Sequence, residues 1–534
     1  MIARRTSTAA LAVAALTSCS AAWYVEDADR EVGVLLAGEQ DDLEHDRRSS
    51  LSQPGDGRDR AEPVERDAPE GDVARLDTLA KDDEGAIVVD LATALEIGVN
   101  FNRDYKSRFE SLYSQTLGYT LTRFDFGPQL NWTVSSIWTD AEGSDNKSQA
   151  QASSLSLSQI LPTGGSFSIG PSLSSSRIEG TATRNYGTSL DISVTQPLLR
   201  GAGYEISHEA WTQAQRSLVY AVRGFELFRE QFSIDIARDY FNLLSERQTL
   251  ANEEANYDQA VFDRQKAEGL YETDRQSEQE VFRARRRELL AENSLVNARA
   301  NFDRTVDQFK ITLGLPIEVQ IAIAEQEPEF VPIDVDAADA FDAARVNRID
   351  LRTQRQQIED ARRAVRIARN AFLPDLDLSV DYSLSDESDN FGDAGADNWS
   401  ASAGLSMSIP LQRLPQRNSY RNALISLGQA ERDYRELLDQ LEIDLANQLR
   451  QLKSTERSIE LQQQLIEQER RAVTVSEIRF ESGDLDNRDL LEARQALIDA
   501  QNALIRLKVD HFIGRLSLLR DLGLLFIDGN GMWQ

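Results

Sequence analysis

The placement of proline is the feature that most constrains how this chain folds. The chain has 13 prolines, and none lies in residues 198–315 or 416–534. Proline removes a helical hydrogen bond and clashes with the preceding turn, so very long helices can persist only in such intervals. Both intervals are rich in Ala, Leu, Glu, Gln and Arg, which favour helices. At 1.5 Å per residue, the stretch from Glu205 to Glu268 predicts a rod of roughly 95 Å.

Apolar residues in the second interval recur at steps near three and four, which is typical of a coiled-coil seam. They are Tyr434, Leu437, Leu438, Leu441, Leu445, Leu449, Leu452 and Ile459. We predict that the chain turns near Tyr271–Ser277 and near Phe480–Asn487, and that a second helix returns each time. Helical hairpins of this length need neighbours from another repeat or another subunit.

The segments before the two helical intervals alternate between apolar and small polar residues, which predicts strands with one face of each kind. They are Gln129–Val134, Ser154–Ser158, Ser166–Ile169, Ser189–Val194, Asp375–Asp381 and Ala403–Ile409. Alternation alone fits a membrane barrel and a soluble sandwich with one wet face equally well. In a barrel, Trp132, Trp138, Tyr186 and Trp399 could form interfacial girdles. After residue 30 there is no run of the ~20 apolar residues that a membrane helix needs, so a membrane-spanning form would have to be a closed barrel.

The second half of the chain restates the first. Leu313-Gly314-Leu315 recurs as Leu522-Gly523-Leu524, an offset of 209, whereas Pro197-Leu198 recurs as Pro410-Leu411, an offset of 213. Pro128 corresponds to Pro374, an offset of 246. The first half therefore has 33 more residues in its strand region. We predict that they form an additional hairpin, which would either enlarge the sheet or make an extended loop.

The N-terminal residues look like a targeting signal, with Arg4 and Arg5 before the apolar run Ala9–Leu16. Leu16-Thr17-Ser18-Cys19 resembles a bacterial lipobox, which implies cleavage before Cys19 and a lipid on its thiol. The alternative is an ordinary signal peptide that is cut later. Cys19 is the only cysteine of the chain. An intramolecular disulfide is therefore excluded.

Acidic residues dominate the segment that follows. Between Glu26 and Glu84 there are 20 acidic and 8 basic residues, and the formal net charge of the whole chain is −31. This composition predicts a disordered linker and argues against a nucleic-acid partner. The histidines, His45, His208 and His511, are isolated in the sequence. We therefore predict no enzyme activity, no metal site and no cofactor.

The sequence resembles the TolC family of outer-membrane efflux proteins. Phe480-Glu481-Ser482-Gly483-Asp484 followed by Asp489-Leu490-Leu491-Glu492-Ala493-Arg494 is similar to the family's helix-turn-helix tip, and Gln196-Pro197-Leu198-Leu199 to its strand-to-helix junction. The resemblance covers residues 86–525. It implies a mixed α and β membrane protein with two structural repeats. Long antiparallel helical hairpins would form an α-barrel, and the strands would form part of a trimeric outer-membrane β-barrel.

The implied function is an exit duct. A homotrimer in the outer membrane, with its helices in the periplasm, would receive substrates from an inner-membrane RND or ABC transporter through a periplasmic adaptor protein. The alternative is a lipid-anchored periplasmic coiled-coil scaffold without a pore. The cargo, which could be drugs, metals or proteins, stays open because the pump selects it.

The resemblance also implies a gate at the helical tips. Its acids would be Asp489, Glu492 and Glu280. The candidate partners are Arg275, Arg283 and Arg285, and the turns would contain Gly483, Asp484 and Asp274. Leu485 stands where some members of the family have a basic residue, so the locking bonds must differ. The alternative is that these are ordinary solvated helix charges.

We predict six segments from these patterns. They are a signal peptide (1–18), an acidic linker (19–85), repeat 1 (86–320), an inter-repeat linker (321–340), repeat 2 (341–525) and a C-terminal tail (526–534).

Overall fold

The computed structural model describes residues 21–51, 81, 85–139, 148–178, 184–324, 328, 330–389, 398–482 and 487–533. The chain divides into two compact units. Unit 1 lies within residues 1–43, 112–223 and 352–436, and unit 2 lies within residues 44–111, 224–351 and 437–534.

The described elements alternate between groups of strands and groups of helices along the chain. In chain order they are α1 (Ala21–Leu51), β1 (Ile87–Val89), α2 (Leu91–Phe101), α3 (Arg103–Asp125), β2 (Gln129–Thr139), β3 (Ser148–Ile160), β4 (Ser166–Ile178), β5 (Arg184–Pro197), α4 (Tyr204–Ser207), α5 (Glu209–Glu272), α6 (Glu278–Leu313), β6 (Ile321–Ile323), α7 (Ala337–Asn347), α8 (Ile349–Asn370), β7 (Asp375–Ser388), β8 (Asn398–Ser408), α9 (Leu414–Ser482) and α10 (Asn487–Asp521).

The long helices predicted from the absence of proline are confirmed. Helix α5 has 64 residues and α9 has 69, and each is followed by a shorter helix, α6 or α10. Along α9, Leu441, Leu445, Leu449, Leu452 and Ile459 are at most 5% exposed, as the seam requires. No helix among the described residues is long and apolar enough to cross a membrane.

A six-stranded antiparallel sheet forms the β part of unit 1, in the order β2-β3-β4-β5-β7-β8. Its register separates two faces, because successive side chains of a strand point to opposite sides. One row of paired residues runs Leu130, Leu157, Ile169, Ile192, Tyr382, Ala401. A neighbouring row on the other face runs Thr133, Ser154, Ser172, Ser189, Ser385, Asn398.

We call these the apolar face and the polar face of the sheet. Trp132, Trp138, Tyr186 and Trp399, the predicted girdle residues, all belong to the apolar face by strand alternation. On the polar face, hydroxyl groups donate to two aspartates of neighbouring strands. Ser383 donates to Asp191 at 2.7 Å, and Ser193 donates to Asp381 at 2.7 Å.

The additional residues of the first half form strands within this sheet. The offsets make Gln129 equivalent to Asp375, so β2 corresponds to β7, and Pro197 equivalent to Pro410, so β5 corresponds to β8. Strands β3 and β4 have no counterpart among the described residues of the second half, and they lie between β2 and β5, paired on both sides. The predicted hairpin is thus present, and it enlarges the sheet rather than forming a loop.

Unit 2 contains corresponding contacts from the two halves. Gly314 and Gly523 follow helices α6 and α10 with φ of 79° and 70°. A Cβ on Gly523 would lie 2.8 Å from the carbonyl carbon of Asn347, and a Cβ on Gly314 would clash with the equivalent carbonyl group of Phe101. The sequence repeat is therefore a structural repeat, with close backbone crossings that only glycine permits.

Three of the predicted segments contain ordered or packed residues. Ala21–Leu51 of the supposed linker form α1, in which Val32 and Leu36 are buried. The inter-repeat linker contains β6, which pairs in parallel with β1. In the C-terminal tail Ile527 is 7% exposed, and the carbonyl oxygen of Gly531 accepts a hydrogen bond from Ser233 at 2.8 Å.

Candidate functional site

The turn between α5 and α6 is closed by its own backbone. The amide of Asp274 donates to the carbonyl of Tyr271 at 3.0 Å, and that of Arg275 donates to Leu270 at 2.9 Å. Asp274 has a φ of 56°, a left-handed conformation that aspartate tolerates better than most residues. These bonds satisfy carbonyls at the end of α5. Asp274 therefore lies in the turn, and Arg275 contributes to the turn through its backbone amide.

The predicted gate residues occupy equivalent positions in the two repeats. At the offset of 209, Glu280 corresponds to Asp489, and Arg283 corresponds to Glu492. Glu280 and Arg283 lie near the start of α6, and Asp489 and Glu492 lie near the start of α10. We call these four residues the tip cluster. Its two halves carry different charge, because one is an acid–base pair and the other contains two acids.

In the first repeat the acid is neutralised. The Glu280 Oε1 atom lies 2.6 Å from Nη1 of Arg283, and the side chain of Glu280 is 16% exposed. Its other oxygen, Oε2, is buried without a hydrogen-bond partner among the described residues. A half-satisfied buried carboxylate is costly in a monomer. The site is therefore suited to a further donor.

In the second repeat the acids remain exposed. Asp489 and Glu492 are three residues apart, and positions at this spacing share one face of a helix. The partial positive charge of the α10 N-terminus stabilises carboxylates in its first turn, where Asp489 lies. This face of the tip therefore presents two negative charges to solvent.

An ion pair closes each hairpin at the same place. Arg285 of α6 lies 2.9 Å from Glu268 of α5, and Arg494 of α10 lies 2.9 Å from Glu477 of α9. Glu477 and Arg494 lie 209 residues after Glu268 and Arg285, respectively. These contacts connect the two helices of a hairpin below its turn.

Arg494 also joins the hairpins of the two repeats. Its Nη1 atom lies 3.1 Å from Oδ2 of Asp263 on α5, whose side chain is 8% exposed. The Arg494 side chain is 21% exposed, so this pair is better shielded from water than the Arg285 pair, in which the arginine is 58% exposed.

Sequence reasoning did not identify Arg494, Glu477, Glu268 or Asp263 as functional residues. The repeat itself carried a signal for the hairpin pairs, because Arg285 and Glu268 both recur at the same offset. It carried none for Asp263, whose equivalent is Ala472. The contact between Arg494 and Asp263 depends on how the two hairpins pack together. A comparison of the two repeats in the sequence does not reveal that packing.

Several predicted positions lie outside the described residues, namely Gly483, Asp484 and Leu485 at the second turn and the lipidation candidate Cys19. Within the described ranges, no group of three or more His, Cys, Asp or Glu side chains is arranged to hold a metal ion.

Residues 340–523 match the family described as outer membrane efflux protein. Over this range, which spans most of the second repeat, the chain is similar to outer membrane efflux proteins. The predicted resemblance to this family is confirmed. No curated protein sequence gives a significant match.

Solved structures extend the likeness to both halves of the chain. The outer membrane protein VceC from Vibrio cholerae is 16% identical, with a TM-score of 0.60 over 81% of this chain and 96% of that chain. CusC, whose structures concern folding and transmembrane channel formation, is 16% identical, with a TM-score of 0.61 over 86% of this chain and 98% of that chain. The open outer membrane channel MtrE of Neisseria gonorrhoeae is 13% identical, with a TM-score of 0.58 over 81% and 89%. These TM-scores show a shared fold, with helical hairpins and strands in the predicted duplicated order.

Proposed function

We propose that this protein is an outer-membrane exit duct of a tripartite efflux or type I secretion system. Substrates enter from an inner-membrane pump and leave the cell without passing through the free periplasm. The family match and the fold shared with outer-membrane channels support this function.

The single observation that carries the proposal is that the strand register separates two sheet faces and leaves the apolar face exposed. Leu130, Trp138 and Trp399 are each at least 65% exposed, whereas a soluble sandwich would bury such a face in its core. A row such as Leu130, Leu157, Ile169 and Ile192 is suited to lipid. The row Ser154, Ser172, Ser189 and Ser385 is suited to water. Membrane barrel strands show this alternation, with the apolar side chains outward and the polar ones toward the lumen.

The tip cluster is proposed as the selective end of the duct. With three copies around one axis, Asp489 and Glu492 would form two rings of negative charge, which favour cations and disfavour anions. Glu280 and Arg283 would act as a neutral structural pair beside them. The buried Oε2 atom of Glu280 supports a closed tip in which a neighbouring copy supplies the missing donor.

The proposed partners follow from this arrangement. Two further copies complete a homotrimer, a periplasmic adaptor protein docks at the helical hairpins, and an RND or ABC transporter delivers the cargo. A lipid on Cys19 would add an anchor in the outer membrane. In this proposal the protein itself catalyses no reaction.

Fractionation and conductance together test the proposed function. The full chain should separate with the outer membrane and give discrete single-channel currents in planar bilayers. Recovery in the outer membrane without any current would support the lipid-anchored scaffold instead and contradict the duct.

A matched pair of variants tests the assignment of the faces. Val380 and Ser379 are neighbours on β7 and point to opposite faces. Val380→Lys should abolish insertion, because a charge on a lipid-facing strand costs about 2–4 kcal/mol near the bilayer centre. Ser379→Lys should insert and conduct. Equal behaviour of the two variants would contradict the assignment.

A further inference from the structure

The inserted hairpin of β3 and β4 is the feature of this chain that the proposed function does not account for. It lies inside the sheet, and its strands are paired with β2 and β5 over nearly their whole length. It therefore adds two strands to the width of the sheet and leaves the strand order otherwise unchanged.

The turn of this hairpin is fixed to the start of the helical region. The amide of Gly203 donates to the Thr163 carbonyl at 2.9 Å, and the Gln196 side chain donates to the same oxygen at 3.1 Å. Gly164 has a φ of 90°, and a Cβ there would clash with the Gly201 carbonyl. The hairpin is thus integrated at the strand-to-helix junction rather than appended to the sheet.

The two edges of the sheet can pair with each other between copies. Strands β2 and β8 are both 11 residues long, and each has one neighbour among the described strands. Because the sheet has six antiparallel strands, its two edge strands run in opposite directions. An open edge of this length invites pairing with another chain. An antiparallel join of β8 to β2 of a second copy continues the same alternation.

The internal repeat predicts the register of that join. Within the chain, β5 pairs with β7 so that Ser193 faces Asp381 and Val194 faces Val380. Since β8 corresponds to β5 and β2 to β7, the offsets of 213 and 246 place Ser406 opposite Ser135 of the next copy. The same register places Met407 opposite Val134, so the apolar face continues across the join.

We propose that three copies close an eighteen-stranded barrel, and that the inserted hairpin makes this exit wide enough for bulky cargo such as proteins. The inference rests on the proposed duct. With a strand spacing of ~4.8 Å and a tilt of ~40°, eighteen strands give a backbone diameter of about 36 Å, whereas twelve give about 24 Å. The polar face would line this bore largely with serine, whose side chains are small.

The first experiment tests the join by disulfide formation in the full chain. Ser406→Cys together with Ser135→Cys should give linked dimers and trimers on oxidation, because directly opposed residues have Cβ atoms about 4.5–5.5 Å apart. Ser406→Cys with Val134→Cys is the matched control, since those residues lie on opposite faces. Equal linkage of both variants, or of neither, would overturn the proposed join.

The second experiment measures the bore with maleimide-coupled polymers of graded size, applied to the full chain in liposomes. Ser400 and Ala401 are adjacent on β8 and point to the polar and the apolar face. Ser400→Cys should react with polymers that are too wide for the bore of a twelve-stranded barrel, whereas Ala401→Cys should stay unlabelled. Removing Ser148–Ile178 from the Ser400→Cys chain should lower the size limit, because four strands per copy remain.

Conductance of the full chain separates the two levels of inference. A channel that conducts but excludes polymers at the narrower limit overturns the wide barrel and leaves the duct intact. Absence of any channel overturns both. If the shortened chain fails to fold, the polymer limit and the cross-link of the full chain still decide the question.

Discussion

The guanidinium of Arg494 lies 3.1 Å from the carboxylate of Asp263 and 2.9 Å from that of Glu477. One side chain thus joins α10 to α9 within its own hairpin and to α5 of the other repeat. The equivalent Arg285 has the hairpin contact with Glu268. Arg494 thus has a contact with the other repeat in addition to the hairpin contact that it shares with Arg285. At this position the two repeats are not equivalent.

Arg494→Ala should destabilise the helical hairpins more than Arg285→Ala. Removing Arg494 leaves Oδ2 of the buried Asp263 without its ion-pair partner, while Oδ1 keeps the hydrogen bond from Gln259 at 2.9 Å. An unsatisfied buried polar atom costs about 1–3 kcal/mol. Arg285 is exposed, and exposed pairs contribute about 0–1 kcal/mol. Denaturant unfolding of the two variants measures the difference. Equal losses would mean that the contact with Asp263 contributes nothing.

Neutralising the exposed tip acids should reduce cation preference. Asp489→Asn with Glu492→Gln removes two charges per copy from the proposed rings while keeping side-chain size, so the reversal potential in a salt gradient should shift toward zero. Glu442→Gln, at an exposed position on α9, is the control and should leave the potential unchanged. An unchanged potential in the double variant would remove the selectivity role and leave the duct intact.

Gly523→Ala should be strongly destabilising. The residue has a φ of 70°, and the added Cβ would lie 2.8 Å from the Asn347 carbonyl carbon, so both strain and a clash with backbone oppose it. A loss of roughly 2 kcal/mol or more in unfolding free energy is expected, because a left-handed conformation alone costs about 1–2 kcal/mol outside glycine.

Gly269→Ala in α5 is the contrasting variant. A Cβ there meets nothing within 4 Å, and alanine is the better helix former by about 1 kcal/mol. It should therefore be neutral or stabilising. If thermal unfolding showed both glycine variants to be equally harmful, the close crossing at Asn347 would not be the cause.

Alkaline pH should destabilise unit 2 through Tyr240. Burial raises the pKa of its hydroxyl from 10.0 to about 12, and the hydroxyl donates to the Ala324 carbonyl at 2.9 Å. Between pH 10 and about 12 the unfolded chain loses this proton before the folded chain does, so the free energy of unfolding falls as pH rises. Denaturant titrations across this range should show a shallower fall for Tyr240→Phe. Parallel curves for the two proteins would exclude the contribution.

The sequence alone predicted the long helices, the duplicated order and the two-faced strands. Prolines limit where helices can extend, and strand alternation is a local pattern. Helices and strands can therefore be predicted without knowledge of tertiary contacts. The turn predicted near Tyr271–Ser277 contains Asp274. The choice of Glu280 and Asp489 as tip residues came from the family resemblance.

Tertiary structure decided what these elements contact. It placed the extra residues as β3 and β4 inside the sheet, because strand pairing depends on partners distant in sequence. It buried Val32 and Leu36 of an acidic segment whose composition predicted disorder, since a few well-placed apolar residues outweigh average charge. It also gave Arg494 its second carboxylate at Asp263, a contact that exists only because the two hairpins pack together.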